Sequence, residues 1–267
     1  MLPFVSVIIT TFRPETKRYL DECIKSVHNL DYPKDRLEVL LVAKESYRPE
    51  YEGIKTIYTK DDRHTAEGIN YGIRHASPEA KYFFYINDDV ILTKECLSHL
   101  VDCVGDNMLL ANGISPCDNY LNYALMFAIP DADGFHQFNK RYYKYEELQP
   151  HFAALRDAKS LYRRGAVFVP WLCMYATLIP RKLTDTIGLF DENFKTGQCD
   201  MDFSYRAKMA GYKTVAILDA VIWHFGGRTS SHTLDNKTRA ENIEYFKKKW
   251  GVLPDGIGED ELAELKA

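Results

Sequence analysis

Three groupings of polar side chains stand at the ends of apolar runs: Asn87-Asp88-Asp89, Asp200 with Asp202, and His224. Adjacent carboxylates such as Asp88 and Asp89 repel each other unless water solvates them or a cation sits between them. The run before them, YFFYI at Tyr82 to Ile86, has no water-facing alternation and reads as a strand covered on both faces. Hard divalent cations, Mn²⁺ or Mg²⁺, take one or two carboxylates and fill the rest of the shell with water and substrate phosphates. An imidazole such as His224 suits Mn²⁺ beside them. A carboxylate that opens a helix, as Asp200 does before MDFSYRAKMAG, is placed to act as a general base. Each grouping also has a structural reading. The pair of aspartates can be a solvated turn, Asp200 a helix cap, Asp202 a partner of Arg206 one turn on, and His224 a core imidazole beside Trp223 and Phe225. Their joint order along one sheet gives the chemical reading its weight.

The elements that must position these groups alternate over the first 115 residues. Val5 to Thr10 is a strand, and Thr16 to Leu30 an amphipathic helix with Leu20, Cys23, Ile24 and Val27 on one face. Strands follow at Leu37 to Val42 and Ile54 to Tyr58, then a helix at Thr65 to Ala76 that tolerates Gly68 and Gly72. After the YFFYI strand come a helix from about Thr93 to Val104 and a strand from Met108 to Ile114. This order predicts an α/β fold, a mostly parallel sheet with helices on both faces. Ligands of such sheets sit outside the carboxyl ends of the strands, where Asp88 and Asp89 fall.

From Ser115 to Arg164 the alternation dissolves into a segment rich in Tyr and Phe, with DADG at Asp131 to Gly134. Rings and hydroxyls over a sheet suit a substrate wall, and equally an aromatic insertion or an oligomer contact. Regular structure returns with a turn at Gly188 to Phe194, a helix at Asp200 to Gly211 and a strand at Lys213 to Trp223. A basic helix around Arg239 to Trp250 and an acidic tail end the chain.

A formal charge of -4 and a pI near 6.1 give no global field to recruit nucleic acid or an anionic membrane. The opening MLPFVSVIITTF has no basic leader, and the longest apolar stretch, Ala166 to Pro180, is too short to span a bilayer. The six cysteines show no CxxC or finger spacing, so reduced thiols and a cytoplasmic location are expected. The basic stretch Lys237 to Lys249 allows a peripheral membrane contact, with a solvated face as its ordinary reading.

The order of these motifs resembles the family 2 glycosyltransferases with the GT-A fold over most of Pro3 to Ser231. VSVIITTFRPETKRYLDECIKSVHNLDYPKDRLEVLLV is similar to the family's nucleotide-binding start, TAEGINYGIRHA to its Asn-Gly helix, and NDDV to its DXD-type motif. GLFDENFKTGQCDMDFSYRAKMAGYKTVAILDAVIWHFGGRTS resembles the run Gly-x-Phe-Asp-Glu, Glu-Asp-x-Asp-(three)-Arg, Ala-Gly-Tyr and His-x-Gly-Gly.

The resemblance implies a GT-A (Rossmann-like) catalytic domain over 1–232 and a helical tail over 233–267. Within the domain, 1–114 is the nucleotide-sugar half and 115–232 the acceptor half. It implies Asp89 and His224 as ligands of Mn²⁺ or Mg²⁺, donor contacts from Thr10, Thr11, Arg13, Arg63, Asn70, Asn87 and Asp88, and Asp200 as the base. The reaction implied is displacement with inversion, from a nucleotide-diphosphate sugar to a hydroxyl of a glycan or glycolipid. Two positions depart from the pattern. Ala43 stands where the family often has an acid that reads the base of the nucleotide, leaving Glu45, Asp61 or Asp62 to replace it. Cys199 replaces the Glu before the catalytic Asp, which removes a like charge from the base. A nucleotidyltransferase is the first alternative, though TTFRPETKR lacks the glycines it needs; a non-catalytic nucleotide-sugar-binding module is the second, and a glycosyltransferase acting on a modified nucleobase the third.

Overall fold

The computed structural model describes residues 2–60, 64–115, 144–149, 165–195, 197–225 and 235–266. Its N-terminal half alternates as the hydrophobic pattern predicts. β1 (Val5–Thr11), β2 (Leu37–Lys44), β3 (Lys55–Thr59) and β4 (Tyr82–Asn87) lie side by side in the order β3-β2-β1-β4, all parallel. Between them run α1 (Lys17–His28) and α2 (Thr65–His75), one on each face.

Residue parity decides which face each side chain takes. Val5, Val7 and Ile9 of β1 pack toward Leu20, Cys23 and Ile24 of α1. Ile8 turns the other way, into the core under Ile69 and Ile73 of α2. The two glycines of α2 have a packing reason. A Cβ on Gly72 would lie 2.4 Å from Ile8 Cγ2, and one on Gly68 3.0 Å from Thr10 Cγ2, so only glycine lets the helix approach β1 this closely.

Past β4 the sheet changes direction. β8 (Ala176–Pro180) inserts antiparallel between β4 and β6 (Leu109–Ile114), and β9 (Lys213–His224) runs parallel to β6. Two three-residue strands hang on β9, both antiparallel to it: β5 (Val90–Leu92) near its end and the exposed β7 (Ala166–Phe168) near its start. α3 (Cys96–Val104) covers one face; α4 (Arg181–Ile187) and α5 (Cys199–Met209) lie against the other.

The C-terminal helix α6 (Asn236–Trp250) is capped by Asp235, whose side chain accepts from Thr238 N. It drives Phe246 into the same core as Phe194 and Phe203. α7 (Glu259–Lys266) folds back on α6 through Leu262, Ala240 and Ile243. Its acids pair with the basic face of α6, Glu261 with Arg239 and Glu259 with Lys247. Among the described residues no helix is long and apolar enough to cross a membrane.

Candidate active site

The turn after β4 carries Asp88 and Asp89, and backbone pairing fixes it against the end of β9. Val90 registers with His224, and Phe225 N donates to the Asp89 carbonyl at 3.0 Å. The side chains follow: His224 Nε2 lies 3.3 Å from Asp89 Oδ1 and 3.3 Å from Asn87 Nδ2. The contact network continues across the sheet. Tyr85 donates to Asn87 Oδ1 at 2.8 Å, and its hydroxyl lies 3.2 Å from Thr10 Oγ1. The ring of Tyr175 stacks on the imidazole at 4.8 Å between centroids.

Asp89 is 1% exposed, and neither carboxylate oxygen has a hydrogen-bond partner among the described residues. A buried carboxylate left this way is costly, which marks it as a place for a cation. The donor set fits one. Asp89 with the Nε2 lone pair of His224 offers oxygen and imidazole to Mn²⁺ or Mg²⁺, with room in the shell for phosphates. Among the described residues no group of three His, Cys, Asp or Glu could hold a metal, so of these residues Asp89 and His224 are the pair that would hold one.

Asp88 is held by the start of α1. It is buried and accepts from Thr16 Oγ1 at 3.2 Å at the first turn of α1, where the helix dipole favours a negative charge.

Asp200 lies in the first turn of α5, entered through Gly197 and Gln198, both with positive φ. Its Oδ1 accepts from Met201 N at 2.9 Å, and its carboxylate also accepts from Met174 N and the Cys173 thiol. Burial outweighs these bonds and lifts its pKa to about 6. The stretch Cys173-Met174-Tyr175 joins the two halves of the site. Cys173 and Met174 hold Asp200, while Tyr175 stacks on His224 and its carbonyl accepts from Asn87 N at 3.0 Å. Asn112 Nδ2 fixes the stretch by donating to the Cys173 carbonyl at 3.0 Å. Cys199 is held as a thiol by burial first and by the Asp200 charge second.

Thr11 ends β1 with its hydroxyl buried, and Thr10 and Asn87 are register partners on β1 and β4. The backbone carbonyl of Arg13 accepts from Thr16, and its half-buried guanidinium makes no hydrogen bond or ion pair with another described residue. Asn70 is buried at the turn before Phe194. Its amide donates to the Phe190 carbonyl and Glu192 at 2.8 Å each and accepts from Phe190 N at 2.9 Å, so it clamps the Gly188 to Phe194 turn. Asp202 takes its structural role. It is fully buried and held by Arg206 at 2.9 Å, Lys249 at 2.7 Å and Trp250 Nε1 at 3.0 Å. Glu45 pairs with Arg48 at 2.9 Å in the turn after β2. Arg63, Asp61, Asp62, the DADG turn and most of the aromatic segment from Ser115 to Arg164 lie outside the described residues, as do Gly226 and Gly227.

Sequence reasoning did not single out Tyr85, Cys173 or Tyr175. Tyr85 carried the only available signal, as a phenol two residues before Asn87 on the same face of β4. Cys173 and Tyr175 sit inside an apolar run that gives no reason to choose them.

The comparisons agree with this layout. Residues 3–242 match the model of the glycosyltransferase like family 2. A mannosyltransferase from Pyrobaculum calidifontis, solved with GDP-Man and Mn²⁺, shares the fold at a TM-score of 0.62 and 16% identity, over 99% of this chain and 68% of that one. TarS 1-349 of S. aureus with UDP-GlcNAc does so at 0.61 and 15% identity, over 98% and 70%. These neighbours identify the sheet as that of the GT-A glycosyltransferases. A dolichyl N-acetyl-alpha-D-glucosaminyl phosphate 3-beta-D-2,3-diacetamido-2,3-dideoxy-beta-D-glucuronosyltransferase of Methanococcus voltae is 35% identical over 95 residues, 31% of this chain. The match spans 28% of that relative's length. With nine tenths of its length inside the family model and the matching sheet around Asp89, Asp200 and His224, the chain belongs to the glycosyltransferase like family 2.

Proposed function

We propose that the chain is an inverting, metal-dependent glycosyltransferase. It takes a sugar from a nucleotide-diphosphate donor and delivers it to a hydroxyl of a glycan or glycolipid of a cell-surface polymer. One observation carries this reading: the buried Asp89 carboxylate, unpartnered among the described residues and facing His224 at 3.3 Å. GDP-Man with Mn²⁺ and UDP-GlcNAc, bound in structural neighbours, support a nucleotide sugar as the donor class.

Asp89 and His224 would hold the cation, which when bound would supply positive charge for the leaving diphosphate. Asn87 and Tyr175 hold the imidazole of His224 in orientation. Asp200, with a pKa of about 6, is ionised at neutral pH and takes the proton of the acceptor hydroxyl on a carboxylate oxygen. Its bonds from Met201 N and Met174 N keep that carboxylate from rotating away. The burial that raises its pKa also makes it a stronger base than a solvated carboxylate.

The test is Mn²⁺-dependent turnover of nucleotide sugars by wild type and Asp200→Asn. Transfer and donor hydrolysis should fall at least about a hundredfold with nucleotide binding retained. Equal turnover in the two proteins removes Asp200 as the base.

A further inference from the structure

Asn112 and Thr177 are polar residues set inside an apolar sheet. They are register partners on β6 and β8, and they are 3% and 0% exposed. By parity Asn112 takes the face of Leu110 and Thr177 that of Ile179, the face on which α5 packs through Phe203 and Ala207. An apolar pair of the same shape would fill these positions without burying an amide and a hydroxyl, so stability alone does not account for them.

The amide meets the segment that carries the base. Tyr175 N donates to the Cys173 carbonyl at 3.0 Å and closes a three-residue turn. Asn112 Nδ2 donates to the same carbonyl, also at 3.0 Å, so both of its lone pairs are taken. A carbonyl only accepts, so the amide must turn its NH₂ to Cys173 and its oxygen to Thr177, whose hydroxyl donates to Oδ1 at 2.9 Å. One residue on, the Gly113 carbonyl accepts from the Tyr175 hydroxyl at 3.1 Å. The turn clamped in this way is the one whose Cys173 thiol and Met174 N–H donate to the Asp200 carboxylate. The titratable groups beside that carboxylate are the thiols of Cys173 and Cys199.

We propose that Asn112, oriented by Thr177, is a positioning residue for the transfer reaction: it locks the Cys173 to Tyr175 turn, and the turn aims Asp200. The inference rests on Asp200 as the base, as read above. Asn112 touches neither Asp200 nor the candidate metal ligands and acts only through the turn.

The experiment compares wild type, Thr177→Val, Thr177→Ser and the double variant Asn112→Leu with Thr177→Val. It records hydrolysis of GDP-Man and UDP-GlcNAc with Mn²⁺, the ligand-free melting temperature, and the titration of the Asp200 carboxyl by carboxyl-carbon NMR, assigned with Asp200→Asn. The double variant should lose about tenfold in kcat with the donor KM unchanged, because Asn87 and Gly113 still hold Tyr175. Its Asp200 should titrate at a higher pH than in wild type, since the donors from the turn are no longer aligned. Its melting temperature should be unchanged or raised, as both buried polar partners are replaced together. Thr177→Val should move kcat and the titration part of the way, and Thr177→Ser should move neither. An Asp200 titration left in place in the double variant overturns the inference, and a lowered melting temperature beside it marks the pair as structural only. Equal losses in Thr177→Val and Thr177→Ser overturn it too, because the hydroxyl then has no part in orienting the amide. A wild type that hydrolyses neither donor, with the titration still moved in the double variant, counts against the transferase reading and leaves the lock on Asp200 standing.

Discussion

His224 Nε2 and Asp89 Oδ1 lie 3.3 Å apart, brought together from distant parts of the chain by the short pairing of β5 with the end of β9. The relationship is set by backbone register, because Val90 opposite His224 and the Phe225 N–H on the Asp89 carbonyl leave the turn little freedom. Two candidate ligands are thus held near each other before any ligand arrives, and preorganisation of this kind lowers the cost of binding.

The first prediction concerns that charge. Asp89→Asn keeps the shape and removes a buried negative charge that has no hydrogen-bond partner among the described residues. Its melting temperature without metal should match or exceed that of wild type. Mn²⁺ should raise the melting temperature of wild type by mass action and have no effect on the variant. An equal Mn²⁺ response in both proteins would remove Asp89 as a ligand.

The second follows from Asp200, whose carboxyl is lifted from 3.8 to about 6 by burial. As a base it must be ionised, so turnover should rise with pH through about 6 and level off above it. Stability runs the other way. Between about 4 and 6 the folded protein holds a proton the unfolded chain has lost, so stability falls as pH rises across that window. Above it the ionised group costs on the order of 2 kcal/mol, which Asp200→Asn removes. The variant should melt above wild type at pH 7.5 and level with it near pH 4.5; a constant difference across that range would contradict the assignment.

These effects were legible in the sequence to different depths. Strand and helix order to β6 could be read because period-2 and period-3.6 patterns are local, and the Asp202–Arg206 pair because it spans one helical turn. The three-residue β5 has no counterpart in the sequence reading, since a strand that short has no period to detect. The stretch Ala166 to Pro180 read as one apolar run. It divides into an exposed β7 and a fully buried β8, because the antiparallel seat of β8 between β4 and β6 is a tertiary fact. The clamp made by Asn70 was not legible for the same reason. Its partners Phe190 and Glu192 are remote in sequence, and no local pattern announces a clamp between a helix and a distant turn.

The third prediction tests Cys173 as a positioning residue. Its thiol donates to the Asp200 carboxylate and lowers its pKa, partly offsetting burial. Cys173→Ala removes the donor, so the acidic limb of the pH–rate profile should move upward. Cys173→Ser, which keeps a hydroxyl donor, should move it back. A limb that stays in place in Cys173→Ala would show that the thiol only fills space.

The last prediction concerns how the tail supports the site. Lys249 of α6 reaches Asp202 at 2.7 Å and Asp191 at 2.6 Å, joining α5, the Gly188 to Phe194 turn and the tail. Burial alone would raise the Asp191 carboxyl, but bonds from Lys249, Asn193 and Tyr245 overcome it and hold it at about 2. A depressed acid contributes stability that is present above its ordinary value and lost as pH falls through 3.8 toward 2. Lys249→Met leaves the fully buried Asp202 with Arg206 as its remaining cation and should cost about 2–3 kcal/mol in urea melts at pH 7. Because Asp191 loses its main partner, the protection it gives against acid should shrink, and the variant should unfold at a higher pH than wild type. Asp200 hangs on the helix that Asp202 anchors, so cleavage by protease near α6 and loss of turnover should set in together as the variant is warmed. Turnover that persists after α6 has been released would show that the tail is not needed to hold the base in place.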